Sequence, residues 1–138
     1  PSKNITLDKD VARASFLLND KIDSFNTNIK LNDKSYEISL YNLKTNTKYK
    51  NNTINIKITG NIDSPDSNDL TELKEESIKI LKDDIEELLN SEKNNTYNIS
   101  NTINHIYLKT RELNYSTYKN SNIKIDIKLK EKENKTYD

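Results

Sequence analysis

The 138-residue chain is long enough for one ordinary domain and too short for two separate cores. Its 22 basic and 22 acidic residues cancel, so no overall field draws it onto nucleic acid or an anionic membrane. The lack of cysteine excludes disulfides, thiolate metal sites and a cysteine nucleophile, and the single glycine excludes glycine-rich phosphate-binding loops.

The first predicted element is a short helix. Apolar or small side chains recur at helical spacing through residues 7–18, and Asp8 and Asp10 fall in the first turn, where negative charge is favourable. Residues 1–5 before the helix are expected to form an interdomain linker. Because only 32% of the residues are hydrophobic, we expect this helix to cover a modest core and the surface to be polar.

Residues 24–62 are predicted to form three strands, because their apolar residues alternate with polar ones. Turn-like residues at 32–33 and 50–52 separate the three runs. In the third run the alternating apolar residues are Ile54, Ile56, Ile58 and Ile62. Gly60, the single glycine, falls inside this strand, where a glycine indicates a bulge or a close backbone approach.

A long charged helix is predicted after the break at residues 64–67. Residues 69–72 have capping-box-like spacing, and leucines and isoleucines recur every three or four residues from Leu70 to Leu89, so we expect the helix to end near Ser91. Residues 66–92 hold ten acidic and three basic residues, whereas residues 30–57 hold six basic and two acidic ones. The charges therefore cancel in total but are segregated along the chain.

The last predicted elements are a third helix and a final strand. Asn98 is a candidate cap for a helix that ends near Thr110, and alternating residues from Ile123 to Leu129 predict a half-exposed strand. The charged residues 131–138 are expected to form a frayed tail. The predicted order is therefore helix, three strands, two helices, strand. That order favours an α+β domain with a mostly antiparallel sheet of about four strands flanked by helices.

The chain has few residues that could catalyse a reaction. His105 is its single histidine, and no serine lies in a nucleophile-elbow pattern, so we interpret His105 as a surface or packing residue. The carboxylate pairs at 83–84 and 86–87 are interpreted as a solvated helix face rather than a metal or acid-base site. We therefore predict no catalytic, cofactor-binding or metal-binding residues, and no nucleic-acid partner.

Several segments resemble one known family in the same order. Residues 7–18 are similar to the Leu-Asp-Glu-Glu-x-x-Arg-Gly stretch of the spore germination C-subunit family, the Ger(x)C lipoproteins, with Arg13 at the arginine and Ala14 at the glycine. Residues 57–62 resemble that family's strand ending in Glu-Gly-Asn-Ile, and the long charged helix follows. The resemblance continues through residues 98–99 to the final strand. The family's two glycines after that point are absent, which predicts a more regular helix there.

The resemblance implies that residues 1–138 form the C-terminal domain of a larger lipoprotein. Such a protein would be held by an N-terminal lipid anchor on the outer face of the spore inner membrane. Its partners would be the integral membrane A and B subunits of a nutrient germinant receptor. The resemblance further implies a non-enzymatic component, without a cofactor, that spores need for germination.

Three hypotheses for this domain remain open. In the first it mediates protein–protein contacts within the receptor, through an acidic surface on the long helix and with Arg13 as a structural organiser. The residues expected on that surface are Glu72, Glu75, Glu76, Asp83, Glu86 and Glu87. In the second hypothesis the domain binds a small germinant directly, which requires a concave pocket with convergent polar groups. In the third, which rests on His105 alone, it is a fragment of a secreted hydrolase or toxin.

Overall fold

The computed structural model describes residues 9–94, 102–111 and 118–131. In chain order its elements are α1 (Lys9–Leu18), β1 (Phe25–Leu31), β2 (Lys34–Lys50), β3 (Thr53–Asp63), α2 (Thr71–Asn94), α3 (Thr102–Thr110) and β4 (Asn122–Glu131). The predicted order of elements and the α+β class are confirmed. The candidate linker at 1–5, the cap Asn98 and residues 132–138 of the predicted tail lie outside the described residues, whereas Glu131, the first residue of that tail, is the last residue of β4.

The four strands form one sheet in the order β1-β2-β3-β4. The pairs β1-β2 and β2-β3 are antiparallel, so the prediction of a mostly antiparallel sheet is confirmed. The third pair differs, because β4 runs parallel to β3. A parallel neighbour needs a long crossover connection, and α2 and α3 lie in the chain between these two strands.

Tight turns join the three antiparallel strands at the positions that the sequence indicates. Asn32 and Asp33 have φ angles of 51° and 65°, and Asn51 and Asn52 have φ angles of 51° and 59°. Two successive residues with positive φ are typical of type I′ hairpin turns, which match the twist of the strands. Asn and Asp tolerate this conformation better than other side chains, so they replace glycine at both hairpins.

The hydrophobic core lies between the helices and one face of the sheet. The alternating isoleucines of β3 are at most 1% exposed, and Leu17, Leu18, Leu88 and Leu89 cover them from the helices within the same cluster. The helix α2 packs against α1, β4 and β1, and α3 packs against β2. The opposite face of the sheet carries polar side chains because residues alternate along a strand.

Two apolar residues lie differently from the predicted stripes. Phe16 on α1 is 49% exposed and Ile80 on α2 is 37% exposed, although both have helical spacing with core residues. Ser15 and Ser77 are buried instead, the first on α1 and the second on α2. The buried face of each helix is therefore rotated slightly from the one that apolar spacing alone indicates. None of the helices in the described residues is long and apolar enough to cross a membrane.

Candidate functional site

The acidic surface predicted on the long helix begins at a well-defined helix start. Asp69 precedes α2, and its Oδ1 accepts a hydrogen bond of 3.1 Å from the Thr71 N–H. This backbone hydrogen bond lowers the pKa of Asp69, and a hydrogen bond from the Thr71 side chain lowers it further by a smaller amount. A carboxylate at this end stabilises the helix because it accepts an otherwise unpaired N–H and faces the positive end of the helix dipole.

The six predicted carboxylates lie together on the outer side of α2. With 3.6 residues per turn they fall within about 120° of the helix circumference. Glu72, Glu75, Asp83 and Glu87 are exposed, and Glu76 and Glu86 are partly exposed. We refer to these six residues as the acidic face of α2. Lys79, also exposed, lies within the same sector, so the face keeps a net negative charge.

Arg13 lies where α1 meets β1, not on the acidic face of α2. Its guanidinium carbon is 4.6 Å from the centroid of the Phe25 ring, and its Nη2 is 3.8 Å from Asp10 Oδ1. The side chain is only 20% exposed. A cation above an aromatic ring is attracted by the negative face of the ring, so Arg13 holds α1 against the first strand. The organising role of Arg13 stays a prediction.

A small cavity opens beside Arg13, and sequence reasoning did not find it. Its volume is about 110 Å³, and it lies between α1, α2 and the inner face of β1 and β2. Apolar side chains, among them Ile29 and Leu81, form part of its wall. The charged groups around it are Asp10, Arg13 and Asp84. The lining residues are spread from position 10 to position 84, so no local motif brings them together.

His105 takes part in a polar cluster that joins α3 to the end of α1. Its Nε2 is 3.1 Å from Asp20 Oδ2, and the Lys109 Nζ is 2.7 Å from the same oxygen. Partial burial raises the pKa of Asp20, but hydrogen bonds from Lys109 and His105 outweigh it and lower the pKa. Nearby, Asn19 Nδ2 donates to Thr102 Oγ1 at 3.3 Å. His105 therefore connects α3 to the segment that follows α1.

The described residues contain no group of three or more His, Cys, Asp or Glu side chains arranged to hold a metal ion. The site residues predicted from sequence thus fall at two separate places. The acidic face of α2 points away from the core, whereas Arg13 lies at the cavity between α1, α2 and the sheet. Sequence reasoning missed Phe25, which contacts Arg13, and Asp84, which lines the same cavity, because only the fold brings them near Arg13.

Comparison with known proteins identifies the fold. No protein-family model matches the sequence, and no curated protein matches it. Among solved structures, the chain is similar to the crystal structure of the GerBC protein, with a TM-score of 0.67 and 15% sequence identity. The alignment covers 92% of this chain and 46% of the length of that protein. The resemblance is therefore confirmed at the level of the fold, which is Ger(x)C-like.

Proposed function

We propose that this chain is a domain of a germinant-receptor C subunit and takes part in spore germination without catalysing a reaction. The proposal rests on the structural similarity to GerBC, which extends over 92% of the chain. Two of the segments that resemble the family by sequence contain Arg13 and Gly60, which lie on α1 and β3.

The full-length protein in this proposal is a lipoprotein on the outer face of the spore inner membrane. This chain spans 46% of the length of GerBC, so the shared fold accounts for less than half of such a protein. The integral membrane A and B subunits would be its partners. Reading the coding sequence upstream of Pro1 tests this directly. We expect a signal peptide followed by a lipidation cysteine, and a continuous cytosolic enzyme domain there would contradict the assignment.

Within the receptor, we propose that the acidic face of α2 contacts a partner subunit. Six carboxylates lie on the exposed side of a helix whose other side packs against the core, so they can meet a basic surface. Complementary charge across an interface steers association and determines which partner is accepted. Lys79, which lies within the sector between Glu75 and Asp83, leaves the complementarity largely intact.

Charge reversal tests this contact. In the variant Glu75→Lys, Glu76→Lys, Asp83→Lys, we expect binding to the partner subunit to weaken by about tenfold or more, because attraction becomes repulsion. Spores carrying the variant should lose optical density more slowly after nutrient addition. Co-purification of the receptor subunits measures binding directly.

A matched variant controls for net charge. Ser35→Lys, Glu37→Lys, Asn68→Lys, Glu131→Lys changes the net charge equally at exposed residues outside α2 and should leave germination unchanged. Circular dichroism checks that both variants are folded. The proposed contact is wrong if the α2 variant is folded and its spores germinate at the normal rate, or if both variants impair germination equally.

A second function, direct binding of a small molecule, is favoured by the cavity beside Arg13. A volume of about 110 Å³ restricts the ligand to a few non-hydrogen atoms. Arg13 supplies a positive charge, Asp10 and Asp84 supply negative charge, and apolar side chains line the wall. A small α-amino acid with an apolar side chain carries the complementary groups, since its carboxylate suits a guanidinium and its ammonium suits a carboxylate.

Ligand-observed NMR with a panel of small amino acids tests this second function. We expect signals from alanine-sized ligands, and we expect the variant Arg13→Gln to lose them because the carboxylate loses its partner. Arg111→Gln removes the other arginine, which is exposed just after α3 and does not line this cavity, and should keep them. A silent panel, or equal loss in both variants, would count against ligand binding by this cavity.

A further inference from the structure

The face of the sheet opposite the helices is rich in lysine. Along β3 and β4 the buried residues are those that face the core, so the alternate positions point outward. The outward positions of β2 after its bulge follow the same rule. We name the following exposed residues the basic sheet face: Lys44, Lys48, Lys50, Lys57, Lys124, Lys128 and Lys130. They come from three strands and from sequence positions as far apart as 44 and 130.

The strand register brings these lysines side by side. Thr59 of β3 lies between Lys44 of β2 and Lys128 of β4, and Asn55 lies between Lys48 and Lys124. With neighbouring strands about 4.8 Å apart and about 3.3 Å per residue, the seven lysines cover an area of roughly 10 by 26 Å. A carboxylate also lies within this area, because Asp126 of β4 pairs with Lys57 of β3. The face therefore keeps a dense positive charge.

A broad depression forms one end of this face. Its volume is about 850 Å³, and it lies over Gly60 and the bulge of β2. Four of the lysines line it, namely Lys44, Lys57, Lys128 and Lys130, together with Thr59 and Asn61. Asp23 at the margin is the acidic residue in this lining. Ammonium groups beside hydroxyl and amide groups in a concave surface are suited to a phosphate group.

The chemistry of the face distinguishes between possible partners. The centres of protein–protein interfaces are enriched in aromatic residues and depleted of lysine, whereas here the lysines alternate with Asn and Thr. Proteins that bind single-stranded nucleic acid add stacked aromatic side chains, and only the half-buried Tyr41 flanks this face among the described residues. A broad array of lysines without apolar anchors instead matches a plane of phosphate headgroups.

We propose that the basic sheet face docks onto an anionic phospholipid surface, with a headgroup phosphate in the depression over Gly60. The acidic face of α2 does not oppose this docking, because it lies on the far side of the helical layer. A helix is about 10 Å across, so the acidic face is farther from a lipid surface under the sheet than about 8 Å, the distance over which the surface potential decays in solution at physiological salt. The net charge of the chain is zero, although the sheet side is basic and the outer side of α2 is acidic.

Vesicle co-sedimentation tests the docking with this 138-residue chain. We expect binding to phosphatidylglycerol vesicles, no binding to phosphatidylcholine vesicles, and release at high salt, because the attraction is electrostatic. Each lysine near an anionic surface contributes about a fivefold gain in binding. The variant Lys57→Gln, Lys128→Gln, Lys130→Gln should therefore bind phosphatidylglycerol about 100-fold more weakly.

The matched control is Lys21→Gln, Lys79→Gln, Lys82→Gln, which removes the same charge from exposed lysines off the sheet. It should bind the vesicles like the unmodified chain, and circular dichroism checks that both variants are folded. Equal weakening in both variants, or unchanged binding in the sheet variant, would overturn the proposal. So would tighter binding to duplex DNA or RNA than to the vesicles, or sedimentation of the chain as a salt-sensitive oligomer without lipid.

Discussion

Replacing Tyr118 with alanine is expected to lower the free energy of unfolding by about 3–5 kcal/mol. The Tyr118 side chain is fully buried, and its hydroxyl donates a hydrogen bond to the backbone carbonyl of Leu89 on α2. Its own carbonyl accepts a hydrogen bond of 3.1 Å from the Ser121 N–H just before β4. The ring therefore fills the core and joins the last strand to the long helix. Urea denaturation followed by circular dichroism measures the loss.

Two further variants separate the contributions of Tyr118. Tyr118→Phe keeps the ring and removes the hydroxyl, so it should cost about 1 kcal/mol, the net value of one hydrogen bond. Tyr107→Ala removes a tyrosine that is 38% exposed on α3 and should change stability by less than about 0.5 kcal/mol. A Tyr118→Ala variant no less stable than Tyr107→Ala would show that this ring is not part of the core.

Local patterns in the sequence were sufficient to predict the strands and their turns. The alternation of Ile54, Ile56 and Ile58 with polar residues reports a sheet with one buried face, because side chains alternate with a period of two. Asn32-Asp33 marks a hairpin because both residues accept positive φ. These features depend on neighbours within a few residues, so they can be read without knowledge of the whole fold.

Features that depend on distant residues could not be predicted in this way. Nothing local distinguishes a parallel final strand from an antiparallel one, since the alternation from Ile123 to Leu129 is the same in both cases. The contact of Tyr118 with Leu89 joins residues 29 positions apart. The contact of His105 with Asp20 joins residues 85 positions apart. These pairs are determined by how the helices and strands pack together. Sequence periodicity indicates only which face of a helix or strand is apolar.

The two charged surfaces differ in the same way, because the sequence predicts one of them and not the other. The acidic face of α2 could be predicted because helical geometry places residues three and four apart on one side. The basic sheet face could not, since it depends on the register of three strands. The excess of lysine in residues 30–57 predicts segregated charge, but only the pairing of β3 with β4 adds Lys124, Lys128 and Lys130 to the same face.

Gly60 is expected to be the strand position least tolerant of a larger side chain. It lies opposite the bulge of β2, where the register shifts between Tyr41 and Lys44. A Cβ atom at Gly60 would lie 2.6 Å from Leu43 Cδ2 and 3.1 Å from the Tyr41 carbonyl oxygen. Because the φ of Gly60 is not positive, this close approach rather than backbone strain is what requires glycine. We expect Gly60→Val to lower the free energy of unfolding by about 3 kcal/mol.

A double-mutant cycle with Leu43 tests that physical reason. The Leu43 N–H donates to the Asp23 carbonyl at 2.9 Å, and this hydrogen bond holds the backbone of the bulge in place. A Cβ at Gly60 can therefore displace the Leu43 side chain more easily than the Leu43 backbone. Gly60→Ala alone should cost about 1–3 kcal/mol. In a Leu43→Ala background the same change should cost at least about 0.5 kcal/mol less, because the nearest clash is gone while the Tyr41 oxygen remains. Urea denaturation of the four proteins measures this coupling. Additive costs would show that the side chain of Leu43 is not what excludes a Cβ, and would shift the explanation to the backbone of the bulge.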